Sequence, residues 1–155
     1  MRSKKAFTII EMIIVIVIIG ILSIVAIPRL SATYDDAKVT IALNNIGTMI
    51  NDVSSYYTSF DRYSANLNDM TNIEDINYTV PWNNITQSGV FTYYTLDNEL
   101  NFEPCISFSI MNRDGNLTIS TIDNPIGDIC KILQSVDSLQ NLLGTKLIGG
   151  NRIKF

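Results

Sequence analysis

Histidine is absent from this 155-residue sequence. Its absence removes the side chain most often used as a general base and as a transition-metal ligand. Cysteine occurs only twice, too few for a structural zinc site without histidine to complete it. Charged residues make up 17% of the chain, against roughly 25% in soluble domains, while apolar types reach 46%. Basic residues are scarcer still, with 11 Lys and Arg against 15 Asp and Glu for a formal charge of −4. An acidic chain is poorly matched to a phosphate backbone, so nucleic acid is not an expected partner. These shortages argue against most enzyme classes. No catalytic group, metal or cofactor is expected, which leaves a membrane-associated or structural protein. The length allows one ordinary domain.

The apolar excess is concentrated at residues 7–27, FTIIEMIIVIVIIGILSIVAI. As a helix rising about 1.5 Å per residue, this run spans roughly 32 Å, close to the hydrocarbon thickness of a bilayer. A single span in lipid has to be helical, because its backbone groups find no other hydrogen-bond partners. Arg2, Lys4 and Lys5 precede the run, and Asp35 and Asp36 follow it. The positive-inside rule then puts the N-terminus in the cytoplasm and the rest of the chain across the membrane. A cleaved secretory signal needs a shorter apolar core and a small-x-small site, which Ser23-Ile24-Val25-Ala26-Ile27-Pro28 does not offer. Glu11 stands out, a carboxylate inside hydrocarbon. It costs on the order of 2.5–3.5 kcal/mol on insertion scales and needs a partner. No basic residue of the span supplies one.

The stretch Lys4-Lys5-Ala6-Phe7-Thr8-Ile9-Ile10-Glu11, leading straight into the apolar run, resembles the start of type IV prepilins and of the pseudopilins of type II secretion. The resemblance covers residues 1 to about 30. It implies cleavage of a short basic leader between Ala6 and Phe7, and N-methylation of Phe7. Ala6 stands where the family usually has Gly. Phe7 becomes the first mature residue, Glu11 the fifth and Pro28 the twenty-second, all family landmarks. The resemblance also implies as partners a prepilin peptidase/methyltransferase, copies of the chain or other pilins and pseudopilins, an inner-membrane assembly platform, and membrane lipid before assembly.

Beyond the span, Pro28 removes a backbone donor and is expected to kink or loosen the helix. Val39, Ala42, Ile46, Met49, Val53, Tyr56 and Phe60 then recur at alternating spacings of three and four. That is the apolar stripe of an amphipathic helix reaching about residue 60. A helix over residues 7–60 would be roughly 80 Å long, against a radius of gyration near 12 Å for the remaining chain, so its first half is expected to protrude. Residues 61–87 carry six asparagines and little periodicity and read as a surface loop, pinned to the domain by Trp82. Strand signals follow at 90–96, at Ile106, Phe108 and Ile110, and at Leu117 and Ile119. Asp114-Gly115 marks a hairpin between the last two. Residues 127–143 return to helical spacing and end at Gly144, and 146–148 with 152–155 read as a final strand.

Cys105 and Cys130 allow one pairing and fall on the translocated side, where disulfides persist. The closed loop of about 26 residues is worth about 3.5 kcal/mol in the chain-entropy description. Asn112, Asp114 and Asn116 alternate as calcium-loop oxygens do, but the hairpin turn alone accounts for them, and Asp123 with Asp128 is an equally weak set. Lys146, Arg152 and Lys154 form the basic cluster and read as a solvated face. The expected fold is α+β, a long N-terminal helix on a C-terminal antiparallel sheet, pilin-like. Its parts are a leader at 1–6, a transmembrane half-helix at 7–27, an amphipathic half at 28–60 and a globular domain at 61–155. The expected function is a structural subunit of a type IV pilus-like or type II secretion pseudopilus filament, located first in the inner membrane and then in the filament. The alternatives are a minor or tip subunit binding DNA or a surface ligand, and a membrane-tethered domain outside any fibre.

Overall fold

The computed structural model describes residues 7–96 and 101–149, with the backbone alone at 27–33. Helix α1 runs Ile9–Phe60, a 3₁₀ turn follows at Leu67–Asp69, and strands β1 (Ile76–Asn83), β2 (Ser88–Leu96), β3 (Phe102–Met111) and β4 (Asn116–Thr121) come next. Helices α2 (Asp128–Ser135) and α3 (Asp137–Gln140) lead to β5 (Gly144–Leu147). The five strands form one antiparallel sheet in chain order. The chain divides into two compact units, Met1–Ala37 and Lys38–Phe155, and α1 contributes to both.

In the second unit, Val39, Ala42, Ile46, Met49 and Val53 of α1 are buried, as their spacing requires. The stripe departs from expectation at its end. Tyr57 is buried, Tyr56 only half-buried and Phe60 exposed. Tyr57 lies eighteen residues after Val39, which is five whole turns at 3.6 residues per turn, so it falls in line with Val39. A strict alternation of three and four averages 3.5 and drifts off that line. Tyr56 and Phe60 instead pair on the flank, with ring centroids 4.6 Å apart.

One face of the sheet lies in the same core. Phe91, Tyr93, Ile106, Phe108, Ile110, Leu117 and Ile119 are buried, and Phe91 stacks on Phe108 at 5.2 Å. The opposite face carries the half-buried Ser107, Ser109 and Thr118, the alternation expected of an antiparallel sheet with one face on the core. Thr92 on that face is instead buried and shares a hydroxyl–hydroxyl hydrogen bond of 3.0 Å with Thr79. Cys105 breaks the alternation. Tyr93 pairs with Ile106 and Tyr94 with Pro104, leaving Cys105 as the extra residue of a bulge. The bulge lets two successive side chains, Cys105 and Ile106, both be buried.

The expected loop over 61–87 is corrected. It contains the 3₁₀ turn, capped by the Asn66 side chain, and the edge strand β1. Asn77, Pro81 and Asn83 mask this strand in the sequence. An edge tolerates proline because one row of its N–H groups faces outward. Trp82 does pack against the core as expected, but from a strand and not from a loop. It lies on β1 and packs near Gly89, where an added Cβ would come within 2.8 Å of Tyr78 and 3.4 Å of Trp82. The single helix expected over 127–143 is also corrected. It breaks at Val136, which is extended at ψ 126°. The Ser135 hydroxyl bonds back to Ile132 O at 2.7 Å and the Gln140 amide donates to Gln134 O, local bonds that compete with helix propagation. Gly144, at φ +100°, opens β5. Residues 152–155, expected to extend the final strand, lie outside the described residues.

The end of α1 is tied to the β3–β4 turn by tyrosines. The Tyr57 hydroxyl donates to Asn112 O at 3.2 Å and the Tyr63 hydroxyl to Gly115 O at 3.3 Å. The Asn112 side-chain oxygen accepts from the Tyr63 N–H. Gly115 has φ +62°, and an added Cβ would sit 2.8 Å from Gly149 N and 2.9 Å from the Tyr57 ring. Burial raises the Tyr63 hydroxyl above its ordinary pKa, with nearby Tyr57 adding to the effect. Burial also pushes Tyr78 up to about 12.

Candidate functional site

The N-terminal end of α1 holds the residues singled out by sequence. Ile9–Ala26 is a helical window of mean hydropathy 3.1 with none of it buried within the chain, long and apolar enough to cross a membrane. Its large side chains, Ile9, Ile10 and Ile16 among them, are exposed, as is Phe7 just ahead of it. Isoleucine and valine form helices poorly in water, so a helix this rich in them, left unburied among the described residues, suits a solvent of lipid or of other helices. Ser23 satisfies its hydroxyl by bonding Ile19 O at 2.8 Å, as a polar group in an apolar surround must.

The first turn contains an arrangement that the sequence reading did not anticipate. Thr8 immediately precedes the helix, and Glu11 is its third residue. The Thr8 N–H and the Thr8 hydroxyl each donate to Glu11 Oε2 at 2.8 Å. The Glu11 N–H donates back to Thr8 Oγ1 at 3.4 Å. This is a reciprocal capping box, in which a side chain at each end satisfies a backbone donor that the helix leaves unpaired. The negative charge also lies at the positive end of the helix dipole. Glu11 therefore has a partner on its own turn, although no basic residue lies in the span. The signal was present as Thr8-x-x-Glu11. Ala6 lies outside the described residues. Pro28 lies inside α1 where the backbone alone is described, and the helix is continuous through it.

The second predicted site is a covalent one. Cys105 of β3 and Cys130 of α2 are bonded, with their Cα atoms 5.6 Å apart, and both are fully buried. Two further ties, unforeseen from sequence, hold the same helix. The buried Glu103 carboxylate accepts from Ile126 N at 3.0 Å and Gly127 N at 2.8 Å. These groups lead into α2, whose own N-cap residue Gly127 has no side chain to offer. The Gln134 amide donates to Cys105 O at 3.1 Å and Ile122 O at 3.0 Å. A carboxylate on one strand thus takes the N–H of the N-cap residue Gly127, the group that the Glu or Gln of a capping box would normally satisfy. Of the basic cluster, Lys146 lies on β5, and Arg152 and Lys154 lie outside the described residues.

Comparison with known proteins bears on the N-terminal part. The prokaryotic N-terminal methylation motif matches residues 1–27. The type II secretion system core protein G of Pseudomonas aeruginosa is 42% identical over 45 residues, which is 29% of this chain and 32% of that protein. The match therefore spans about a third of the relative's length. No solved structure matches the chain. By the motif at residues 1–27 and by this relative, the chain is similar to the type IV prepilins and pseudopilins.

Proposed function

We propose that the chain is a structural subunit of a pilus-like filament, within the type II secretion pseudopilus or a related type IV system. The observation that carries this reading is an apolar helical window with none of its residues buried among the described residues, opened by a carboxylate in its first turn and bearing the methylation motif. The likeness to a type II secretion core protein favours the secretion member of the pair. In this reading a prepilin peptidase cuts Ala6–Phe7 and methylates the Phe7 amine. The helix holds the subunit in the inner membrane with its N-terminus cytoplasmic. An assembly platform then moves it into a bundle with copies of itself or with other pilins and pseudopilins. The chain is a substrate of processing, not an enzyme.

The carboxylate explains why the bundle has a fixed stagger. Cleavage leaves an amine at Phe7 and a carboxylate at Glu11, both costly in lipid. Apolar side chains alone allow helices to slide past one another. Pairing Glu11 of one subunit with the Phe7 amine of another selects one axial position and removes two unpaired charges. The Thr8 N–H belongs to the Phe7–Thr8 peptide, so the capping box survives the cut and keeps Glu11 oriented until a neighbour arrives. Intact mass spectrometry of the membrane-extracted chain tests the reading. A mature chain beginning at methylated Phe7 is expected, and a chain retaining residues 1–6 in cells that contain the peptidase overturns it.

A further inference from the structure

Two adjoining hollows of about 270 and 240 Å³ lie where β1 begins, β2 ends and β3 begins, and they share Asp75, Tyr94 and Phe102. Their walls mix apolar and acidic groups. Ile41 and Phe102 line the groove at 59% and 67% exposure, which is high for large side chains grouped around one concavity. Glu74 and Asp75 stand beside them, with no salt bridge or side-chain hydrogen bond among the described residues. Lys38, on the second hollow, is already engaged within the chain. Thr95 lines the same hollow and is only 6% exposed, and its hydroxyl is buried with no partner among the described residues. A buried hydroxyl left unpaired costs about 1–3 kcal/mol, so its presence in a concavity points to a hydrogen-bonding occupant.

The occupant has to carry positive charge next to apolar side chains. In the segment Arg152-Ile153-Lys154-Phe155 two cations alternate with two large apolar residues. In extended form the two kinds would fall on opposite sides. The segment cannot reach the groove of its own subunit. Gly149 lies against Gly115, in the turn that joins Met111 of β3 to Asn116 of β4. The groove is at Phe102, the other end of the ten-residue strand β3, roughly 30 Å away at about 3.3 Å per residue. Lys154 is five residues beyond Gly149, a reach of at most about 18 Å.

We propose that the groove bounded by Glu74, Asp75, Ile41, Phe102 and Thr95 receives segment 152–155 of a second copy of the chain. The groove and Gly149, after which the segment follows in sequence, lie at opposite ends of the sheet, so the contact is head-to-tail. A heterologous contact of this kind repeats into an open fibre and does not close into a pair. It also puts scarce cations to use. Once Arg2, Lys4 and Lys5 are removed with the leader, eight basic residues face 15 acidic ones, and like-charged surfaces resist close packing. The proposal rests on the filament-subunit reading and adds the second contact that fixes neighbouring globular parts.

The test uses the full-length chain in the membranes of cells that assemble it. A photoreactive p-benzoylphenylalanine replaces Phe102, and the adduct is mapped by mass spectrometry. The expected product joins position 102 to segment 150–155 of another copy. Glu74→Lys with Asp75→Lys, or Arg152→Glu with Lys154→Glu, should each lower its yield at least about tenfold by opposing like charges. All four changes in one chain exchange the charges and should restore it to within about threefold of the starting level. If copies still co-purify but position 102 joins to another segment, another protein or its own chain, or the exchange fails to restore the adduct, the head-to-tail contact is refuted and the filament reading stands. If the chain does not self-associate at all, both fall.

Discussion

Replacing both Cys105 and Cys130 with alanine tests how the globular unit keeps α2. The bond spans a sequence separation of 25 and so closes a loop of about 26 residues. The chain-entropy relation gives about 12 cal/mol/K for that length, or about 3.5 kcal/mol at room temperature. The helix should not be released outright, because Glu103 still accepts from two N–H groups ahead of it and Gln134 still bridges two carbonyls. The double variant is therefore expected to fold and to lose about 3–4 kcal/mol of unfolding free energy. Full-length protein in mild detergent can be unfolded with denaturant while the emission of Trp82 is followed. Trp82 is the only tryptophan, and it sits on β1, away from the staple, so it reports collapse of the whole sheet. Adding Glu103→Gln should cost a further 1–3 kcal/mol, and the two effects should couple because both act on one helix. A loss under about 1 kcal/mol in the double alanine variant would refute the claim that the staple constrains the unfolded chain.

Gly115→Ala combines a left-handed φ with a Cβ under 3 Å from Gly149 and Tyr57. It should lower stability by about 1–3 kcal/mol, and an unchanged thermal midpoint would show that the turn can relax. Alkaline titration should expose the buried tyrosines. Tyr63 and Tyr78 have pKa values raised by burial, so their contribution is complete below about pH 10 and is lost as pH rises towards 12. Tyr78→Phe should flatten part of that fall in pH-dependent unfolding, and an unaltered slope would contradict it. Glu11→Ala makes the span more apolar, so membrane insertion should hold or improve while incorporation into filaments drops. An alanine variant that inserts, is cleaved and assembles at the wild-type level would remove Glu11 from the assembly mechanism.

The fold was legible where one-dimensional spacing controls burial. Val39 through Val53 follow a helix that buries one stripe, and the strands at 106–110 and 117–119 alternate because one face lies in the core and the other is only half-buried. The strand at 90–96 was legible from its aromatic and β-branched composition, although Phe91, Thr92 and Tyr93 are buried in succession. Legibility failed at the sheet's edges and at helix ends. Strand β1 is held by pairing to β2 more than by its own composition, with bulges on both sides of Val80 and a proline in it. The break at Val136 depends on bonds made by the Ser135 and Gln140 side chains, which a periodicity count over apolar residues ignores. Tyr57 was displaced by one position because a 3.5-residue count loses phase over five turns.

The candidate site divides along the same line, and the division follows from what each charge needs. Glu11 was conspicuous because a carboxylate in hydrocarbon has no neutral explanation, and the group that holds it, Thr8, is three residues away. A local bond of that kind is written into spacing, and Thr-x-x-Glu ahead of an apolar run states it. Glu103 is equally paired but was invisible. It looks like an ordinary strand residue, and its partners, Ile126 and Gly127, lie 23 and 24 residues further along the chain. The return of the chain to β3, where Gln134 and Cys130 of α2 also meet Cys105, brings them within reach. The pair of cysteines hinted at this by requiring residues near 105 and 130 to approach. Once they do, the uncapped start of α2 has to find an acceptor nearby, and the only carboxylate two residues from Cys105 on the same strand is Glu103.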